Sequence, residues 1–184
     1  RHWELRLVDL NVEPLTDAQL GWADYVMLSA MIVHRASVDA IVDRCAATGR
    51  PLIAGGPLFT TCHAEFPRVP HFVLGEAEDV LPQVIRDMEA GTVRPSYEAA
   101  GRPALTGIPP PRWDLVKMRD YVTMAVQFSR GCPYDCEFCD ITTMNGRVPR
   151  LKSPEQIIAE IETLLRHGWT GMVLTSRPGS TGSS

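Results

Sequence analysis

Short apolar runs that alternate with amphipathic segments constrain this chain more than any other feature. Asp24 to Ser29 (DYVMLS), Pro51 to Ala54 (PLIA) and His71 to Leu74 (HFVL) are too short for helices and read as strands. Val38, Ile41, Val42, Cys45 and Ala46 fall at helical spacing, as do Val80, Leu81, Val84, Ile85 and Met88. Gly49 and Gly91 stand where those helices should stop. Trp3, Leu5 and Leu7 alternate with Glu4 and Arg6, followed by Val8 and Leu10, and read as a half-buried strand. Apolar strands with helices between them predict a parallel sheet covered by helices, so the expected fold class is α/β. No internal period repeats, which excludes a solenoid.

The character changes over residues 92–120, where Pro95, Pro103 and Pro109-Pro110-Pro111 interrupt any regular element. This stretch reads as a proline-rich linker between a first domain, 1–91, and a second, 121–174. Val122, Met124, Val126 and Phe128 alternate with Thr123, Ala125, Gln127 and Ser129, a strand of period two running into Arg130-Gly131-Cys132. Ser153-Pro154-Glu155-Gln156 offers an N-cap, a proline at the first helical position and a capping-box Gln. Ile157, Ile158, Ile161, Leu164 and Leu165 share one face of that helix, Gly168 closes it, and Gly171 to Leu174 starts another strand. The last ten residues, 175–184 (TSRPGSTGSS), have no side chains to build a core; they are expected to be disordered and to be a tag, linker or misread frame. Arg1 lies inside a strand pattern, so the chain reads as a fragment cut at both ends, with the first strand of its sheet missing. Such a fragment is expected to turn over no substrate by itself.

Composition removes several function classes. Lys and Arg number 18 against 22 Asp and Glu, a net charge of −4 that offers no general attraction to nucleic acid or an anionic membrane. No apolar run approaches the roughly 20 residues a bilayer span needs, and no signal peptide opens the chain. The five Cys are an odd number and three of them crowd into Cys132, Cys136 and Cys139. A secreted disulfide framework would spread its cysteines in pairs, whereas a cluster in a cytoplasmic chain reads as a metal site.

The spacing of that cluster is C-x3-C-x2-C, in the sequence GCPYDCEFCD. Thiolates are soft donors suited to iron–sulfur clusters and zinc. A closed structural zinc site wants four ligands, and the next His is His167, beyond the predicted helix. Three thiolates on a four-iron cluster leave one iron open, which is useful where another molecule binds there. Three merely packed cysteines fit poorly, because Asp135, Glu137 and Asp140 interleave them.

These residues resemble the radical SAM superfamily, whose motif is C-x3-C-x2-C with an aromatic residue before the third cysteine, here Phe138. The resemblance implies a partial β/α barrel whose first strand leads into the cluster loop, a 4Fe–4S cluster on Cys132, Cys136 and Cys139, and S-adenosylmethionine chelating the fourth iron beside Phe138. It further implies cleavage of S-adenosylmethionine to methionine and a 5′-deoxyadenosyl radical, with electrons from a donor such as flavodoxin or ferredoxin, and a small-molecule or lipid-like substrate. The stretch Arg130 to Gln156 is similar to the subgroup with an N-terminal cobalamin-binding domain, which includes hopanoid C-2 methylases. For that subgroup the first domain is expected to be Rossmann-like and the reaction a methyl transfer to an unactivated carbon.

Cobalamin-binding domains that use a histidine ligand carry D-x-H-x-x-G, then S-x-L, then GG. Here Asn11 stands at the His and Pro14 at the Gly, Ser29-Ala30-Met31 stands for the second element and Gly55-Gly56 for the third. Asn is no cobalt ligand, so cobalamin would bind without a lower histidine. Glycines at strand ends let a large ligand approach the backbone, in the usual crevice of open α/β sheets. Equally, Gly55, Gly56 and Gly75 can serve only tight turns, and Glu76 can cap a helix or meet the ligand.

Other residues take ordinary readings. Cys45 lies on an apolar helix face, and Cys62, His63 and His71 match no metal spacing. Asp39 and Asp43 form a solvated helix face, Arg147 and Arg150 a basic turn or an anion contact, and His34 and Arg35 follow a strand that could line the crevice. Two function classes follow: a radical enzyme, or a non-catalytic iron–sulfur or electron-transfer module (or zinc loop). Cluster carriers commonly use four cysteines, which favours the enzyme.

Overall fold

The computed structural model describes residues 3–175, and most of the expected tail lies outside them. The chain falls into two compact units, one spanning Leu15–Pro103 and one made of residues up to Pro14 with those from Ala104 onward.

The first unit is a four-stranded, all-parallel sheet in the order β1 (Val26–Ser29), β2 (Leu52–Gly55), β3 (His71–Leu74) and β4 (Ser96–Glu98). The crossovers carry α2 (Arg35–Ala47), α3 (Pro57–Cys62) and α4 (Leu81–Ala90), and α1 (Asp17–Trp22) precedes β1. The expected strands form because each is a short apolar run with a helix to cover it. Val38, Ile41, Val42 and Cys45 of α2 pack with Leu52, Ala54, Leu58 and Phe59 in one core. Ile53, Val73, Val84, Met88 and Tyr97 form another core in the same unit. Gly91 ends α4 in the left-handed conformation, at φ 69°.

The second unit pairs β5 (Thr123–Val126) with β8 (Met172–Thr175) in parallel, and α6 (Pro154–Arg166) makes the crossover. Ser153 caps α6 with the reciprocal hydrogen bonds its sequence predicts. Met124 and Val126 of β5 and Leu164 of α6 are buried with Trp113 and Trp169. Between β5 and α6 lie β6 (Ser129–Arg130), α5 (Ile141–Asn145) and β7 (Arg150–Leu151), with β6 and β7 antiparallel.

Several expectations are corrected. The alternating run from Trp3 to Leu10 forms no strand; Trp3, Leu5 and Leu7 are exposed, since among the described residues no strand edge pairs with them. Asp9 instead starts a turn, its carboxylate accepting from the Asn11 backbone N–H at 2.9 Å. Within 92–120, Ser96–Glu98 adds the fourth strand of the sheet, and Leu105 and Trp113 are buried, because prolines bar ladder hydrogen bonds but not packing. On α6, Ile158 and Leu165 are exposed and only part of the expected face is covered. Thr175 belongs to β8 and not to a tail. Among the described residues no helix is long and apolar enough to cross a membrane.

Asp87 supplies a polar anchor under α4. It accepts from Tyr97 Oη at 2.8 Å and from Gln83 Nε2 at 2.6 Å, and pairs with Arg94 at 3.0 Å. The Tyr97 hydrogen bond, reinforced by those from Gln83 and by Arg94, holds its carboxyl below the usual carboxylate range. A depressed folded pKa contributes stability above the unfolded value, and that stability is lost as pH falls through the folded one. Asp87→Asn is expected to lower the melting temperature by several degrees at neutral pH. The gap to the wild type should narrow steadily in acid, as read by thermal melts across the carboxylate range.

Candidate functional site

The three clustered cysteines occupy one loop, closed at its base by the β6–β7 hairpin. Ser129 pairs with Leu151 and Arg130 with Arg150, and the Lys152 N–H donates to Phe128 O at 2.9 Å. Inside that closure the Cys132 N–H donates to Gly146 O and the Cys139 N–H to Cys136 O, each at 3.0 Å. The loop therefore leaves the C-terminal end of β5, where α/β folds place their reactive groups.

Gly131 makes the closure possible. Its φ is +92°, and a Cβ there would lie 2.5 Å from Val148 O and 3.2 Å from Gly146 O. Any side chain would push away the Val148 backbone, which leads into β7. In the sequence, the signal for such a position is a glycine directly after a predicted strand.

All five cysteines are free thiols. Cys136 is exposed and Cys132 and Cys139 are partly so, while Cys45 is buried in the core, where burial pushes its thiol pKa up. The donor set of the loop suits an iron–sulfur cluster: three soft thiol ligands, open to a bulky inorganic group. Among the described residues no three His, Cys, Asp or Glu side chains converge on a single metal ion. Cysteines that hold a cluster bind different irons and need not converge in that way.

Phe138 is 92% exposed, and Tyr134, Ile141 and Val148 also present apolar surface on this loop and its flanks. Arg147 pairs with Asp135 at 2.8 Å in solvent, and Arg150 donates to Asn145 O at 3.0 Å. Both basic residues thus have partners within the loop segment.

The residues expected to meet cobalamin divide between the two units. Ser29, Gly55 and Gly56 meet at the C-terminal ends of β1 and β2, with Ser29 in register with Gly55. Gly56 has φ +87°, and a Cβ on it would lie 2.6 Å from Ser29 Oγ. Gly75, at φ +81°, follows β3, and its N–H donates to Thr60 Oγ1 at 3.0 Å. Glu76 is buried and its side chain makes no capping hydrogen bond. Met31 is exposed on the segment after β1, as are Ile32 and Val33, which the sequence reading did not single out. The space beside Gly55 and Gly56 is taken by Val73 O and Ser29 Oγ, so these glycines serve close packing at the strand ends, and the exposed apolar surface comes from Met31, Ile32 and Val33. Asn11 lies in the other unit, where its side-chain amide donates to Asp9 Oδ1 at 2.8 Å; Tyr121 Oη donates to Asp9 Oδ2 at 2.6 Å. Burial, then Asp9, pushes the Tyr121 pKa up to about 12.

The remaining candidates are accounted for within the protein. Arg35 pairs with Glu65, and Arg68 bridges Asp39 and Asp43 on the exposed face of α2. The His63 ring packs edge-on to Phe72, and His71 Nδ1 lies 2.8 Å from Arg94 O. His34 Nδ1 accepts from the Met31 N–H at 3.2 Å.

Residues 126–179 match the radical SAM superfamily. It is 39% identical over 171 residues to an uncharacterized methyltransferase of Synechocystis sp., covering 92% of this chain and 32% of that protein. It is 35% identical over 175 residues to the hopanoid C-2 methylase of Rhodopseudomonas palustris, covering 93% of this chain and 33% of the methylase. It is 20% identical over 171 residues to the bacteriochlorophyllide d C-8(2)-methyltransferase of Chlorobaculum tepidum, covering 86% of this chain and 37% of that enzyme. The chain thus spans about a third of the length of these relatives.

Gly131→Ala places an L side chain at a positive φ, which costs about 1–2 kcal/mol before any clash. With Val148 O in the way, the hairpin is expected to open. Limited proteolysis should cut the variant within residues 131–149 several-fold faster than the wild type, with cleavage of the first unit unchanged.

Proposed function

We propose that this chain carries the cluster loop of a radical SAM methyltransferase, with Cys132, Cys136 and Cys139 as the ligands of a 4Fe–4S cluster. The observation that carries the reading is the loop itself: three free cysteines at C-x3-C-x2-C spacing, closed by a hairpin at the C-terminal end of a parallel strand. Cys132, Cys136 and Cys139 would hold the cluster, which, once reduced by an external one-electron donor, would supply the electron for cleavage of S-adenosylmethionine to methionine and a 5′-deoxyadenosyl radical. The residues of the chain hold and shape the site. Gly131 lets the hairpin close behind Cys132, the Cys139 N–H tied to Cys136 O keeps the last two ligands in one turn, and exposed Phe138 offers its ring to the adenine.

Cobalamin is proposed as the methyl carrier, held at the C-terminal ends of β1–β3 by Ser29, Met31, Gly55, Gly56, Gly75 and Glu76. Asn11 stands where histidine-using proteins have their cobalt ligand, so a bound cobalamin would receive no histidine from this position. The names of the relatives support methyl transfer and differ in substrate, one a hopanoid and one a bacteriochlorophyllide. That difference is expected if substrate walls lie outside the third of the protein that this chain shares with them.

Two experiments test the reading. Anaerobic reconstitution of the protein as its gene encodes it should give about four irons per chain, and 5′-deoxyadenosine on reduction with S-adenosylmethionine. Cys132→Ala, Cys136→Ala and Cys139→Ala should each abolish both, while Cys45→Ala and Cys62→Ala keep them. Stoichiometric zinc without iron would end the enzyme reading. Hydroxocobalamin, titrated in, should bind with a spectrum lacking histidine coordination. Val33→Asp should weaken that binding at least ~10-fold, the scale of one lost apolar contact replaced by a desolvated charge, with the melting temperature unchanged. A free-cobalamin spectrum at high protein concentration would remove the cofactor from the account.

A further inference from the structure

A buried ion pair in the second unit takes no part in any contact described so far. The side chains of Lys152 and Glu160 are only 5% and 3% exposed. Lys152 Nζ donates to Glu160 Oε1, and Glu160 Oε2, although buried, has no hydrogen-bond partner among the described residues. Desolvating an ammonium and a carboxylate offsets most of their attraction unless every remaining lone pair is satisfied. Apolar residues of similar volume would stabilise this core at least as well. Stability alone therefore does not account for the pair.

Its placement does. Lys152 directly follows β7, and its own N–H donates to Phe128 O, the last rung closing the hairpin. Glu160 sits on α6, which packs over β5 through Leu164. Between β7 and the start of α6 the chain has only Lys152 and the cap Ser153. The pair ties the base of the cysteine hairpin to the helix that covers β5. Fixing a register is the best-attested use of a buried polar pair.

We propose that Lys152 and Glu160 are positioning residues for the cysteine loop: their buried pairing fixes the hairpin base against α6 and so sets where Cys132, Cys136 and Cys139 stand relative to β5. The iron readout below rests on the cluster reading; the amide readout does not.

The test uses the protein as its gene encodes it, in the double variant Lys152→Met/Glu160→Leu, which removes both charges at similar volume. The fold should survive, with a melting temperature equal to or above that of the wild type and unchanged exchange at the α6 amides of Ile161 and Leu164. Exchange at the amides of positions 132 and 152, which bond Gly146 O and Phe128 O, should accelerate at least ~10-fold, as for a local opening confined to the hairpin. Iron loss to a chelator from the reconstituted protein should accelerate by a similar factor. Wild-type exchange at positions 132 and 152 in a folded double variant would overturn the proposal. So would a double variant that fails to fold, since the pair would then be a core element and no more. If the wild type itself takes up no iron, the cluster reading fails, while the amide measurement still decides the role of the pair.

Discussion

Two parallel strands cannot be joined by a tight turn. The chain must travel back along the first before it enters the second, and about a dozen residues is the least that does so. Every pairing in both main sheets is parallel, so every connection is a crossover. In the first unit the crossovers are filled by α2, α3 and α4, which supply the apolar cover the strands need. In the second, the return from Val126 to Met172 holds more than a helix. Its first half is the hairpin of β6 and β7, and the cysteines lie inside it. The loop can take an irregular shape there because α6 alone completes the crossover and covers β5.

What was legible in the sequence was local. β1, β2 and β3 lie where their apolar runs predict, and the Ser153–Gln156 box caps α6 as expected. Short helices were missed. Thr16 and Gln19 form a full capping box on α1, and Gly56-Pro57 opens α3, but six residues are too few to show a helical period. The opposite failure befell Trp3 to Leu10, where a period of two is present but, among the described residues, no strand pairs with it. Alternation states which face a strand would bury and says nothing of whether an edge is there to receive it.

The cysteine spacing announced itself, whereas the parts that hold the loop did not. The need for glycine at Gly131 depends on Val148 O, a backbone atom on the far side of the hairpin. Lys152 and Glu160 look, in sequence, like ordinary solvated charges on a turn and a helix, and only the packing of α6 buries them. Gly56 teaches the same lesson in the first unit: Ser29 Oγ of the neighbouring strand fills the space its side chain would take. In each case the constraint lies between residues on different elements or limbs of a loop, which no pattern along the chain records.

Phe138 stands almost wholly in water directly beside the third cysteine. An aromatic ring so exposed keeps a shell of ordered water whose release is mostly an entropic gain near room temperature. Any planar ligand that covers it therefore gains part of its affinity from the solvent, and the association carries a negative change in heat capacity. The loop thus has a thermal signature as well as a chemical one: the enthalpy of occupying it becomes more favourable on warming.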